Sequence, residues 1–161
     1  MRIEEGAGRA EVAVGQEGGD GGLFILGADL VKETSVLTAA YDDAAGVTAA
    51  FNRNILTRLN RDLDADFDPA RFTHQARWNP TESRIEMHLE STCAQTVRIP
   101  ESSAGDAFTI HFAPGETIHT ENSYKFTPAT VAALLTSANF TATNSWQDPH
   151  HLFAVTLATA V

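Results

Sequence analysis

Between Arg84 and Ser91 the chain alternates Ile85, Met87 and Leu89 with Glu86, His88 and Glu90, and this stretch limits the possible folds more than any other. Alternation of period two sorts side chains onto the two faces of an extended strand. Such a segment needs neighbouring strands at its edges and a packed layer beneath its apolar face. Gln95 to Ile99 and Phe108 to Phe112 have the same character, separated by Pro100 and a Ser-Ser-Ala-Gly-Asp cluster that should form a loop. Pro114-Gly115 marks a turn, and Glu116 to Phe126 follows as another strand candidate.

Around this block the pattern changes. Leu23-Phe-Ile-Leu26, a continuous apolar run closed by Gly27, suits a strand buried on both faces of a parallel sheet, with Asp29 near its carboxyl end. From Ser35 the spacing turns helical: Val47, Ala50, Phe51, Asn54, Ile55, Arg58 and Leu59 recur at three and four, which predicts one or two amphipathic helices over residues 35–62 with this stripe inward. Asp64 to Thr73 reads as an acidic loop, in which Asp68-Pro69 starts a short helical turn. Thr127-Pro128 caps a helix through Val131, Leu134 and Leu135 that Asn139 ends. Thr141 to Trp146, the Asp148-Pro149 turn and Leu152 to Leu157 predict a closing antiparallel pair.

Seven of the 11 glycines fall between Gly6 and Gly22 among Glu, Gln and Asp, too little apolar surface to offset the backbone entropy. Residues 1–22 are therefore expected to be a flexible acidic segment, and 23–161 a single domain. The Gly-Ala-Gly at Gly6 to Gly8 is no dinucleotide loop, since that loop follows a buried strand and Met1-Arg-Ile-Glu-Glu5 is not one.

A net charge of −10 repels phosphate backbones and anionic lipid, which argues against nucleic acid and membrane partners. No apolar run approaches the roughly 20 residues that span a bilayer, and the acidic start is unlike a signal peptide. The single cysteine, Cys93, excludes an internal disulfide, so a reduced, cytoplasmic setting fits.

Chemistry concentrates in Glu116 to Phe126. If this stretch is extended, His119, Glu121 and Ser123 share one face; a solvated strand face is the simplest reading. A Ser-His-acid triad needs the base aimed at the nucleophile, which parallel neighbours two apart do not provide, and no G-x-S-x-G elbow is present. A metal site from His88, His111, His119 and Glu121 has no HExxH or HxH spacing behind it, and His150-His151 beside a proline turn reads as exposed loop. No metal is expected.

Four blocks occur in order: Leu30-Val31-Lys32, YDDAAGVTAAFNRN from Tyr41 to Asn54, ARWNPTESRIEMHL from Ala76 to Leu89, and HTENSYKF from His119 to Phe126. Together they resemble the histidine-specific Nα-methyltransferases that use S-adenosylmethionine to make hercynine in ergothioneine biosynthesis; fungal relatives methylate prenylated tryptophan. The similarity covers about residues 22–158. It implies an α/β fold, the second half of a Rossmann-like methyltransferase sheet with an inserted antiparallel substrate-binding subdomain. It also implies substrate-binding roles for four residues. Tyr41 would orient the amino acid, Glu121 and Ser123 would grip the imidazole, and Met87 would lie against the ring. The side-chain chemistry suits these roles, because a phenol both donates and accepts, a carboxylate accepts a ring N–H, and a thioether packs on an aromatic edge.

The family's glycine-bearing donor loop, its ribose-binding acid and its Gly-Ser-Thr-Ile-Gly-Asn block have no match in this chain. No cofactor-binding or catalytic residue is therefore assigned. The expectation is a chain that keeps a pocket for a histidine-like amino acid, inactive alone, as a remnant or as one piece completed by a separate polypeptide. The competing readings are a non-catalytic histidine- or imidazole-binding module and a degenerate interaction protein.

Overall fold

The computed structural model describes residues 12–14, 21–101 and 105–161. Its secondary structure is mixed α/β, with three α-helices and small sheets among the described residues. The chain packs as two compact units: 1–34, 79–85 and 122–161 form one, 35–78 and 86–121 the other.

The first unit is built on a four-stranded sheet. Val12–Val14 (β1), Leu23–Asp29 (β2), Phe153–Ala160 (β9) and Phe140–Gln147 (β8) lie in the order β1-β2-β9-β8, and every pairing is antiparallel. This corrects the parallel, doubly buried strand expected at Leu23 to Leu26. Leu26 and Ala28 are each 3% exposed, whereas Leu23 is 57% and Ile25 47% exposed, so β2 is apolar on both faces but covered on one. Periodicity cannot distinguish these cases, because a continuous apolar run looks the same in either.

The covering element is the helix Pro128–Ser137 (α3). Thr127 caps it, its hydroxyl accepting from the Thr130 N–H while the Thr130 side chain accepts from the Thr127 N–H, with Pro128 in the first turn. Val131 and Leu135 of α3 pack on Leu26, Ala28 and Ala158. The Asp148 carboxylate makes the expected β8–β9 turn by accepting N–H bonds from His150, Leu152 and Phe153. A bulge interrupts β8: Ala142 pairs with Ala158 and Asn144 with Leu157, leaving Thr143 extra. Of the segment 1–22, only residues 12–14 and 21–22 are described, and Val12–Val14 is a strand.

The second unit holds the helices Thr34–Tyr41 (α1, whose first residue belongs to the other unit) and Val47–Leu63 (α2). Apart from their end residues, it also holds the strands Phe72–Asn79 (β3), Arg84–Ser91 (β4) and Thr117–Tyr124 (β7), in the sheet order β3-β4-β7. Gln95–Ile99 (β5) and Phe108–Phe112 (β6) pair as an antiparallel hairpin; residues 102–104 of the expected loop lie outside the described residues. The core of this unit gathers Leu56, Phe67, Phe72, Leu89, Val97, Ile99 and Phe112, with Phe72 and Phe112 edge to face at 5.4 Å.

Two expectations are corrected in this unit. The acidic loop ends earlier than expected, because Phe72 opens β3; Pro69–Arg71 is the short helical turn, and the Asp68 carboxylate accepts from the Ala70 N–H. The α2 stripe is also turned: Leu56 is fully buried, while Val47 is 68%, Phe51 57% and Ile55 40% exposed. Of the expected stripe Leu59 does pack against the core, together with Leu56 and Leu63, and Asn52 is buried beside them.

Candidate functional site

The outward stripe of α2 faces a cleft. Phe51, Asn54, Ile55 and Arg58 line it together with Asn52, Thr120 and Glu121, around a space of about 200 Å³. Glu121 thus brings a half-buried carboxylate to a wall of one aromatic, one aliphatic, two amide and one guanidinium side chain from α2. Arg58 is held at its own helix, its guanidinium donating to Asp62 at 3.0 Å.

Several contacts position this wall. The Thr120 hydroxyl donates to the Met87 carbonyl at 2.9 Å, tying β7 to β4. Asn52, 4% exposed, donates from its side-chain nitrogen to His74 Nδ1 at 2.9 Å and to the His88 carbonyl at 3.1 Å. Since His74 Nδ1 accepts, its Nε2 carries the proton and donates to the Tyr41 carbonyl at 2.8 Å. One buried amide therefore links α2, β3, β4 and the end of α1. Asp43 fixes the start of α2 by accepting the Val47 and Thr48 N–H groups at 3.0 and 2.8 Å; these bonds, the Thr48 N–H first, pull its pKa down to about 2.

The four residues singled out in the sequence have different surroundings. Glu121 lines the cleft. Met87 is 3% exposed, in the strand beside β7. Tyr41 closes α1 and offers its carbonyl to His74. Ser123, two residues beyond Glu121 on β7, is packed with the first unit, where Lys125 donates to its hydroxyl oxygen at 2.7 Å. That ammonium is wholly buried and pairs with Asp29 at 3.0 Å, and Asp29 also pairs with Lys32. A hydroxyl oxygen held this way is committed as acceptor toward Lys125, so its proton is directed to another acceptor.

Sequence reasoning missed three groups. Phe51, Asn54 and Arg58 belong to the stripe expected inward, since their period is helical, yet period alone does not say which apolar stripe meets the core. Lys125 and Glu86 lie within the resemblance blocks, but neither is singled out there. Glu86, His88 and His119 nevertheless come together across β4 and β7, where no metal was expected; period two already places Glu86 and His88 on one face, and only the β4–β7 pairing adds His119. Burial holds the His88 imidazole below its ordinary pKa, against the opposing effect of its hydrogen bond to the Glu86 carboxylate. His111 lies elsewhere, on β6 beside Thr96. Among the described residues no helix is long and apolar enough to cross a membrane.

A family model described as histidine-specific methyltransferase, SAM-dependent, matches residues 9–160. Two relatives named histidine N-alpha-methyltransferase, from Mycolicibacterium smegmatis and Mycobacterium tuberculosis, are 50% and 46% identical to the chain over 138 residues, 86% of its length. The chain spans 42% of the length of each of these curated relatives.

Proposed function

As the chain belongs to the histidine-specific, SAM-dependent methyltransferase family, we propose that it supplies the substrate-binding wall of an L-histidine Nα-methyltransferase, which converts histidine to hercynine for ergothioneine biosynthesis. The observation that carries this reading is Glu121 facing the outward stripe of α2 across a cleft of about 200 Å³. The carboxylate accepts the imidazole N–H, and Phe51 and Ile55 offer the ring apolar contact. A site built to bond a substrate N–H strongly rejects analogues that lack it. Met87 and Tyr41 do not line this cleft themselves; the family resemblance assigns them the ring edge and the amino-acid end.

S-adenosylmethionine, the family's donor, supplies an electrophilic methyl group. The family's glycine-bearing donor loop is not expected in this sequence, and Gly27, at the end of the apolar run of β2, packs against the Phe153 ring, which a Cβ would meet at 2.9 Å. This supports placing the donor outside the residues described, in a polypeptide region or partner that completes the site. The transfer depends on aligning amine and methyl group, so these 161 residues alone hold histidine and do not methylate it. The lone cysteine is consistent with a cytoplasmic setting.

Calorimetry with L-histidine tests the reading. The chain should bind histidine, and Glu121→Ala should weaken binding more than tenfold, about 1.4 kcal/mol or more. Equal binding by both would overturn the site. Methylhistidine formed by the 161-residue chain with S-adenosylmethionine would overturn the claim of inactivity alone, while binding without turnover by a completed full-length assembly would favour a non-catalytic histidine-binding module.

A further inference from the structure

Glu86 and His88 stand two apart on β4 and share a face, and β7 adjoins β4 in its sheet. His119 of β7 stacks on His88, ring centroids 4.5 Å apart and planes within 16° of parallel. His88 Nε2 lies 3.4 Å from a Glu86 carboxylate oxygen. One donor atom from each of the three side chains lies within 4.8 Å of the others. His88 is 9% exposed, and its Nε2, not the buried Nδ1, is the nitrogen turned toward Glu86.

We propose that Glu86, His88 and His119 bind a divalent transition-metal cation, with Zn²⁺ the ion best suited to two imidazoles and one carboxylate. Bonds of roughly 2.0–2.1 Å around a tetrahedral ion set donor atoms about 3.4 Å apart. The Glu86–His88 pair, long for a hydrogen bond, is already at that separation. His119 is exposed and completes the set by turning its ring, without disturbing the core. Three protein ligands leave a fourth position for water. Arg77, a positive charge near His88, is engaged by Glu90 at 3.2 Å. The cation clamps β4 to β7, the strands that carry Met87 and Glu121.

The test titrates the chelator-stripped 161-residue chain with Zn²⁺ by calorimetry and with Co²⁺ by visible absorption. The expected result is one equivalent bound with Kd below about 10 μM, with tetrahedral Co²⁺ bands. His119→Ala and Glu86→Gln should each weaken binding at least tenfold. Because His119 is exposed, its variant should keep the wild-type circular dichroism. The double variant His150→Ala/His151→Ala should bind as tightly as wild type. Unchanged affinity in His119→Ala, loss of binding in the His150/His151 variant, or no binding at 1 mM metal would each overturn the proposal.

Discussion

Lys125 pairs with Asp29 at 3.0 Å with its own side chain wholly out of solvent, while the Asp29 side chain remains 31% exposed. The two ends of this pair are therefore not equivalent. Asp29→Ala removes the carboxylate from a buried ammonium and should destabilise the protein by about 3 kcal/mol. Lys125→Met leaves Asp29 with Lys32 and with solvent, and should cost only about 1 kcal/mol. Urea unfolding followed by circular dichroism compares them, and the reverse order would contradict the assignment of burial.

The two stripes of α2 should separate stability from binding. Leu56 is fully buried in the core of its unit, so Leu56→Ala should cost about 3 kcal/mol. Phe51 is 57% exposed at the cleft, so Phe51→Ala should change stability by less than about 0.5 kcal/mol while weakening histidine binding several-fold. Unfolding curves and calorimetry on the same two variants check both halves.

Asp43 predicts a pH dependence. Its folded-state pKa of about 2 lies below the value of about 3.9 for an unstructured aspartate, so between these values the unfolded chain binds more protons. The stabilisation is complete above about pH 4 and is lost as pH falls toward 2. Asp43→Asn should lower the urea midpoint at pH 6, and its deficit against wild type should shrink as the pH drops through that window. An Asp43 carboxyl resonance titrating near 4 would refute the prediction.

His74 should be a neutral Nε2–H tautomer, since Asn52 donates to its Nδ1 and the Tyr41 carbonyl accepts from its Nε2. Imidazole nitrogen shifts in ¹⁵N-labelled protein report this directly. Asn52→Leu strips partners from His74 Nδ1 and the buried His88 carbonyl together, and should cost about 2–3 kcal/mol.

Legibility in the sequence followed how local the governing physics is. The Thr127-Pro128 cap and the Asp148-Pro149 turn were readable because each is decided within a few residues, and α3 and the β8–β9 pair stand where those signals put them. The alternation in β4 was equally local. Which face of α2 turns inward was not, because Phe51 and Ile55 are as apolar as Leu56 and only the partners available in three dimensions choose between them. β3 was missed since it carries a buried His74 where a strand's inner face usually shows an aliphatic side chain. The interest of Glu121 came from its resemblance block rather than from spacing, and the Glu86, His88 and His119 group became visible only once β4 and β7 were neighbours.

The extra residue in β8 sets a parity for everything downstream of it. Before it, Ala142 sits opposite Ala158; after it, Ser145 and Gln147 oppose Thr156 and Ala154, and Trp146 opposes Val155. Excising Thr143 would thus do more than shorten a strand. It would invert Asn144 through Gln147, driving an indole toward α3 and an amide away from it, so the gene tolerates a substitution at this codon far better than its loss.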